Sequence, residues 1–404
     1  MTNIQIEHNS KFKTATLGCF LRLPLTQENL ALANILAVMQ NNASARYPGI
    51  SIQAKALEEY YDAQLAIFPQ VFGNQIILFY VINFIEPKEV LNPDYNYQKI
   101  IETFVDIIKN PLFNPSLLYL AKSQLISVRT QYLDIPANYA LNRFYQYWYR
   151  NLPEYSENIF GDLEVIKKCT VLQIKNFFKT LKEKPAICLG LVESPKLITD
   201  LLQEKLDWPG FSQSFSVENL SIIAKYDPIK KVEAGNHEQA QLLLGFGYPN
   251  KLSSDLRQFG GIILSQYLAG DESSKLFATI REKMGAAYAI DADNLLDNSL
   301  FLISTGINYN KLAETKKQIK TVLKEVAAGK IDTELFNKAQ RALKRMYHEN
   351  KDQENVLLMQ MLANSLRGRN LTIDDRINKV MNFNEKKLTQ FAQSLFLNES
   401  YCLK

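Results

Sequence analysis

The sequence predicts an α+β protein made of two tandem copies of one domain, each an antiparallel sheet covered by helices. Three observations lead there. Strand, helix and hairpin signals come in one order in the first half of the chain and recur in that order in the second. Matching elements are separated by a nearly constant shift. Strands arrive as hairpins with helices in blocks, which disfavours the strict alternation of a parallel doubly wound sheet.

In the first half, Thr14 to Leu23 reads as a strand stopped by Pro24, and Thr26 is placed to cap an apolar-rich helix, Gln27 to Gln40. A helix from Ser51 to Tyr61 precedes strands at Ala63 to Pro69 and Gln75 to Asn83, which turn at Gly73-Asn74. The helix Asp94 to Lys109 repeats apolar residues at Ile100, Ile101, Phe104 and Ile108, and Pro111 follows its end. Helical runs at 115–132, 135–149 and 171–182 and a strand at 185–192 complete this half.

The second half opens with a strand, Glu238 to Phe246, a helix at 253–269 and another from Ser273. A hairpin at 287–293 and 298–306 follows, then helices near 311–328, 332–349, 353–367 and 385–396 and a strand at 399–404. The first strands begin 224 residues apart (Glu238 against Thr14), as do the first hairpin strands (287 against 63). The long helices begin 217 apart (332 against 115) and the final helices 214 apart (385 against 171). This layout places an N-terminal domain at 1–206, a linker at 207–226, where patterning is weakest, and a C-terminal domain at 227–404.

Composition narrows the function. The 404 residues are 47% hydrophobic and 22% charged, enough for sizeable cores. A net charge of +4 without a Lys/Arg block argues against a nucleic-acid partner. There is no charge-free apolar run of the roughly 18 residues a membrane span needs, and MTNIQIEHNSKFKT lacks a signal peptide's apolar core. Cys19, Cys169, Cys188 and Cys402 form no CxxC pair and are expected to be packing thiols of a reduced, cytoplasmic protein.

Most catalytic patterns are missing. His237-Glu238 and His348-Glu349 begin like HExxH, but Gln241 and Asp352 stand where the second histidine belongs, and His8 has no companion. HxxEH, a Walker A loop, GxGxxG and GxSxG do not occur, and Glu58-Glu59 reads as a solvated helix surface. What remains is SSKLFATIREKMGAAYAI, residues 273–290. Leu276, Phe277, Ile280 and Met284 form its helical apolar face, Gly285 is placed to end the helix, and Tyr288 opens a strand. Arg281 lies one turn beyond Phe277, at the border of that face. With the halves aligned at an offset of 223 residues, Glu58 and Leu65 occupy the places of Arg281 and Tyr288. The second copy thus holds a cation and a phenol that the first lacks. Together they could donate hydrogen bonds to a developing oxyanion, but neither activates water alone.

GDESSKLFATIREKMGAAYAI closely resembles the C-terminal-half signature of the pitrilysin (insulinase) family, which includes the mitochondrial processing peptidases. Gly270, Ser274, Leu276, Phe277, Arg281, Glu282, Lys283, Gly285 and Tyr288 match it in order and spacing. The resemblance implies the processing-peptidase-like fold of paired, similar domains that clasp a chamber for peptides. Active members carry HxxEH on the first long helix, with a further Glu downstream. The two histidines and that Glu hold zinc, and the Glu within the motif acts as the general base. Here the corresponding helix is ENLALANILAVMQ (28–40), with no histidine and a single carboxylate, Glu28.

The resemblance therefore implies no zinc and no peptidase activity in this chain alone. It is similar to the non-zinc subunits of two-chain bacterial members, more narrowly to paired Firmicute peptidase-like proteins associated with elongation factor P modification. On that pattern Arg281 and Tyr288 would serve as catalytic and substrate-binding residues on the peptide carbonyl. The expected partners are a homologous, zinc-bearing HxxEH subunit and a peptide substrate. The alternative is a catalytically inactive peptide-binding or scaffold protein of the same fold.

Overall fold

The structure, a computed structural model, describes residues 3–235, 239–249, 251–282 and 287–404, with no side chains described at 281, 282, 287 and 288. It divides into two compact units that are not consecutive stretches of chain. Unit 1 comprises 1–130, 157–220 and 352–370; unit 2 comprises 131–156, 221–351 and 371–404.

The first half contributes strands β1 (Ile4–His8), β2 (Thr14–Pro24), β3 (Gln64–Phe72), β4 (Gln75–Ile85) and β5 (Ala186–Val192). Its helices are α1 (Gln27–Asn42), α2 (Ile50–Glu58), α3 (Tyr97–Lys109), α4 (Pro115–Asp134), α5 (Pro136–Trp148), α6 (Leu163–Lys168), α7 (Val171–Leu181) and α8 (Pro195–Lys205). The second half contributes β6 (Ile229–Glu233), β7 (Ala240–Gly247), β8 (Ala287–Leu295), β9 (Leu300–Ile307) and β10 (Phe396–Leu403). Its helices are α9 (Gly261–Ala269), α10 (Leu312–Ala327), α11 (Thr333–Asn350), α12 (Glu354–Leu366), α13 (Ile373–Met381) and α14 (Glu385–Ser394).

The sheet of unit 1 has the order β1-β5-β2-β4-β3 and that of unit 2 the order β6-β10-β7-β9-β8. Strand by strand these are the same sheet, which is the structural mark of the repeat. Both are antiparallel except at one edge, where β1 runs parallel to β5 and β6 parallel to β10. Those two edge strands are absent from the sequence reading, as are α6, α8 and α13. IQIEH and IKKVE are five residues each with little buried surface, and such pieces look like loops until a neighbour supplies the ladder.

Each sheet is covered in part by a helix from the other half of the sequence. In unit 1, Leu358, Leu362 and Leu366 of α12 pack on Phe20, Ile77, Phe79 and Leu189 of the sheet. In unit 2, Ala140, Phe144, Tyr145 and Trp148 of α5 pack on Leu243, Leu300, Leu302 and Tyr401. The α5 contact depends on Gly245 of β7, where a Cβ would lie 2.5 Å from the Phe144 ring and 2.8 Å from Trp148. Helix α3 buries the four residues its periodicity marks, Ile100, Ile101, Phe104 and Ile108, each at 0–1% exposure. Burial of this kind stabilises by about 1.5–3 kcal/mol per side chain. The β3–β4 hairpin turns through Gly73, whose φ of +53° suits glycine.

One sequence expectation is overturned here. Cys19 and Cys188 are not packing thiols but are joined in a disulfide, while Cys169 and Cys402 are buried and free. The reason is register: β2 and β5 set Cys19 directly opposite Cys188, with Cα atoms 4.3 Å apart. A separation of 169 residues hides that neighbourhood from any spacing rule.

Candidate functional site in unit 2

Arg281 lies in a π-helical turn, Phe277–Glu282, at the end of the segment that begins at Ser274. That turn is anchored by Leu276 and Ile280, both 0% exposed and one turn apart, as the apolar pattern predicts. Ser274 is buried beside them, and its N–H donates to the Asp271 carbonyl at 3.0 Å. Tyr288 is in β8, the edge strand of the second sheet, where the pairing with β9 shifts register between Ala287 and Ala289. Tyr288 is thus the backbone position at which the ladder of this edge strand skips a residue.

The π turn and β8 pack on each other, so the elements carrying the two residues are neighbours. The orientation of both side chains lies outside the description, as do residues 283–286 with Lys283, Met284 and Gly285. Farther along β8, burial and then the neighbouring Asp291 charge hold the Asp293 carboxyl above its ordinary range. The strand is pinned from the other side, where Thr305 Oγ1 donates to the Ala289 carbonyl at 2.7 Å.

Helix α1 has no donor set for zinc. Three of its side-chain amides donate to backbone carbonyls: Asn34 Nδ2 to Ile159 O at 2.8 Å, Gln40 Nε2 to Ile107 O at 2.8 Å and Asn41 Nδ2 to Ile67 O at 2.6 Å. The one carboxylate, Glu28, is exposed in the first turn. Neutral amides engaged in this way do not replace the imidazoles and carboxylate a tetrahedral zinc site uses. Among the described residues no three His, Cys, Asp or Glu side chains converge as metal ligands. His8 is exposed on β1 with Nδ1 2.9 Å from the Glu193 carbonyl, and His348 is exposed on α11. His237 lies outside the described residues. No helix among the described residues is long and apolar enough to cross a membrane.

Residues 140–343, half of the chain, match the family described as Peptidase M16 inactive domain. The chain belongs to that family. Its relatives include an uncharacterized zinc protease of Rickettsia felis, 24% identical over 297 residues, which span 72% of this chain and 68% of the relative. A second, from Rickettsia bellii, is 23% identical over 318 residues, 74% of this chain and 72% of that one. The uncharacterized zinc protease YmxG of Bacillus subtilis is 27% identical over 169 residues, 41% of each chain.

Among solved structures, a conserved protein of Enterococcus faecalis V583 superposes with a TM-score of 0.89 at 18% identity, covering 99% of this chain and 96% of that one. An M16 inactive-domain structure from Pseudomonas fluorescens gives 0.80 at 13% identity, covering 99% and 94%. These likenesses establish an M16-type fold over nearly the whole chain. The pitrilysin resemblance of the 270–288 signature agrees with the family.

Unit 2 also holds polar centres that the sequence did not single out. Glu233 of β6 accepts from Arg143 Nε at 3.0 Å, from the Tyr147 hydroxyl at 2.7 Å and from the Tyr401 hydroxyl at 2.9 Å. The Arg143 hydrogen bond is the main reason its carboxyl is held down at about 2, against the cost of burial. Glu399 of β10 is the opposite case. It is fully buried, neither carboxyl oxygen has a hydrogen-bond partner among the described residues, and burial pushes it up to about 9. No local pattern marks either residue, because the partners of Glu233 and the segments that bury Glu399 are remote in sequence.

Proposed function

We propose that this member of the inactive M16 family is the non-metal subunit of a heterodimeric zinc peptidase, inactive alone. One observation carries the reading: the Arg281/Tyr288 signature is intact on a chain whose α1 offers no zinc donors. Losing the metal site while keeping that signature makes sense if the pair serves chemistry supplied by another chain. The naming of the Rickettsia and Bacillus relatives as zinc proteases supports the peptidase context.

In this reading the Arg281 guanidinium and the Tyr288 phenol donate hydrogen bonds to the scissile carbonyl oxygen as it gains negative charge. Donors placed in advance stabilise the transition state more than the ground state, so their loss appears in kcat. The attacking water, its base and its metal belong to a homologous HxxEH subunit. This chain contributes electrostatics and substrate orientation.

The test combines the chain with an HxxEH-bearing M16 subunit and follows peptide cleavage. Arg281→Ala and Tyr288→Phe are each expected to lower kcat by about 10²–10³-fold, as for removal of one oxyanion donor. Undiminished cleavage by both variants would sink the assignment. Peptide binding by the isolated chain, with no association with an HxxEH subunit, would favour a peptide-binding or scaffold protein instead.

A further inference from the structure

Unit 2 contains a cleft of about 500 Å³, lined by the 251–259 stretch on one side and by α13 and α14 on the other. That volume lies within the range that encloses small-molecule ligands. Its apolar lining is Leu252, Leu256, Phe259 and Phe383, the last three 1–7% exposed. Leu256 and Phe259 belong to a π-helical turn, Leu256–Gly260, a departure from α geometry frequent at functional positions. Gly260 and Gly261 follow, and a Cβ on Gly261 would overlap the Asn294 side chain at 2.1 Å. The turn is therefore held close to β8 by glycine, and its apolar residues line the cleft.

The rim has a definite sign. Lys251, Lys379 and Lys387 line the cleft against one carboxylate, Asp255, which pairs with Lys379. Lys251 and Lys387 have no ion pair among the described residues. The Lys379 ammonium lies 6.0 Å above the Phe259 ring and that of Lys387 5.8 Å above the Phe383 ring. Their stems thus run along the aromatic lining while their charges stay at the mouth.

Helix ends favour the same sign. Lys387 is in the first turn of α14, capped by Asn384. The carbonyls at the end of α13, which would otherwise add negative potential, are covered: Gln340 Nε2 donates to Val380 O at 2.6 Å and to Phe383 O at 2.8 Å. Asn378, Asn382 and Gln390 complete the rim with amides able to donate to an oxyanion.

We infer that this cleft binds a small amphipathic carboxylate, with an aromatic or branched aliphatic body against Phe259 and Phe383 and its anion at Lys251 and Lys387. The C-terminal residue of a peptide and a free aromatic acid share this chemistry.

The experiment titrates the full chain calorimetrically with N-acetyl-L-phenylalanine, its uncharged amide and 3-phenylpropionate. Saturable binding of at least one acid is expected in the millimolar range or tighter, weakening with salt. The amide should bind about tenfold more weakly than N-acetyl-L-phenylalanine. A Lys251→Gln/Lys387→Gln variant should lose a similar factor; both side chains are exposed and outside the core. Tighter binding of N-acetyl-L-phenylalanine than of 3-phenylpropionate assigns the site to peptide C-termini, and the reverse order to free acids. The inference is overturned if neither acid saturates, if acid and amide bind alike, or if the double variant binds like the unaltered chain.

Discussion

Asn41 holds Ile67 by both ends of its side-chain amide. Asn41 Oδ1 accepts from the Ile67 N–H at 3.0 Å, and Nδ2 donates to the Ile67 carbonyl at 2.6 Å and to the Ala37 carbonyl at 2.9 Å. Ile67 is on β3, an edge strand, so these are backbone groups turned away from the sheet. Two residues on, Pro69 has no N–H to offer. A stretch of exposed sheet edge is thereby closed from within unit 1.

Asn41→Ala should cost about 1–2 kcal/mol, because it leaves a strand edge without its partner. Asn41→Asp should cost more, since a carboxylate can accept from Ile67 N–H but must face two carbonyl oxygens. Urea unfolding reports the energy, and amide exchange at Ile67 reports the place. Unchanged exchange there in Asn41→Ala would show that the clamp does not hold the strand.

The Cys19–Cys188 link makes a second prediction. It ties β2 to β5 across 169 residues of chain, and closing a loop of that length restrains the unfolded state strongly. Reduction should lower unfolding stability by about 2–5 kcal/mol. A Cys19→Ala/Cys188→Ala variant should be insensitive to reductant, and alkylation of the oxidised, denatured chain should label Cys169 and Cys402 only. Four alkylated cysteines without reductant would refute the pairing.

How legible the molecule was depended on how far each signal reaches along the chain. Helix α3 and the β3–β4 hairpin are local: their apolar spacing and the Gly73-Asn74 turn lie within one element or between two neighbours. The repeat was legible because it compares such local signals in order. The parallel edge strands were not, since Ile4–His8 acquires its meaning from Cys188–Val192, far downstream. The same holds for the disulfide, for Glu399 and for the exchange of α5 and α12 between the halves. At the candidate site the sequence nominated Arg281 and Tyr288 and showed α1 to be without histidine. It could not supply the bulge at Tyr288, which arises only from pairing with β9.

Glu233 predicts how unit 2 responds to acid. Arg143, Tyr147 and Tyr401 hydrogen-bond its ionised form, and its carboxyl is held near 2 against an ordinary 4.5. A carboxyl lowered on folding adds stability that is present above the unfolded value and lost as pH falls through the folded one. Stability should therefore decline between about pH 4.5 and 2 with a component from this residue. In Glu233→Gln that component should disappear, flattening the acid limb of stability against pH. An identical acid limb in the variant would show that the network does not couple to folding.

Glu399 predicts the opposite trend on the alkaline side. It lies on β10 opposite Gly245, fully buried, and the Arg150 charge favours its ionisation. Its carboxyl is raised from 4.5 to about 9, so the folded chain keeps a proton that the unfolded chain releases. Stability from this residue is complete below about pH 4.5 and is lost as pH rises towards about 9. Each pH unit in that window removes up to about 1.4 kcal/mol. Glu399→Gln keeps the shape of the neutral acid and cannot ionise. It should match the unaltered chain near pH 4.5, exceed it by a few kcal/mol near pH 8, and show little slope between. Urea unfolding across that range decides the matter: a variant no more stable at pH 8 would mean that Glu399 finds a compensating partner when charged.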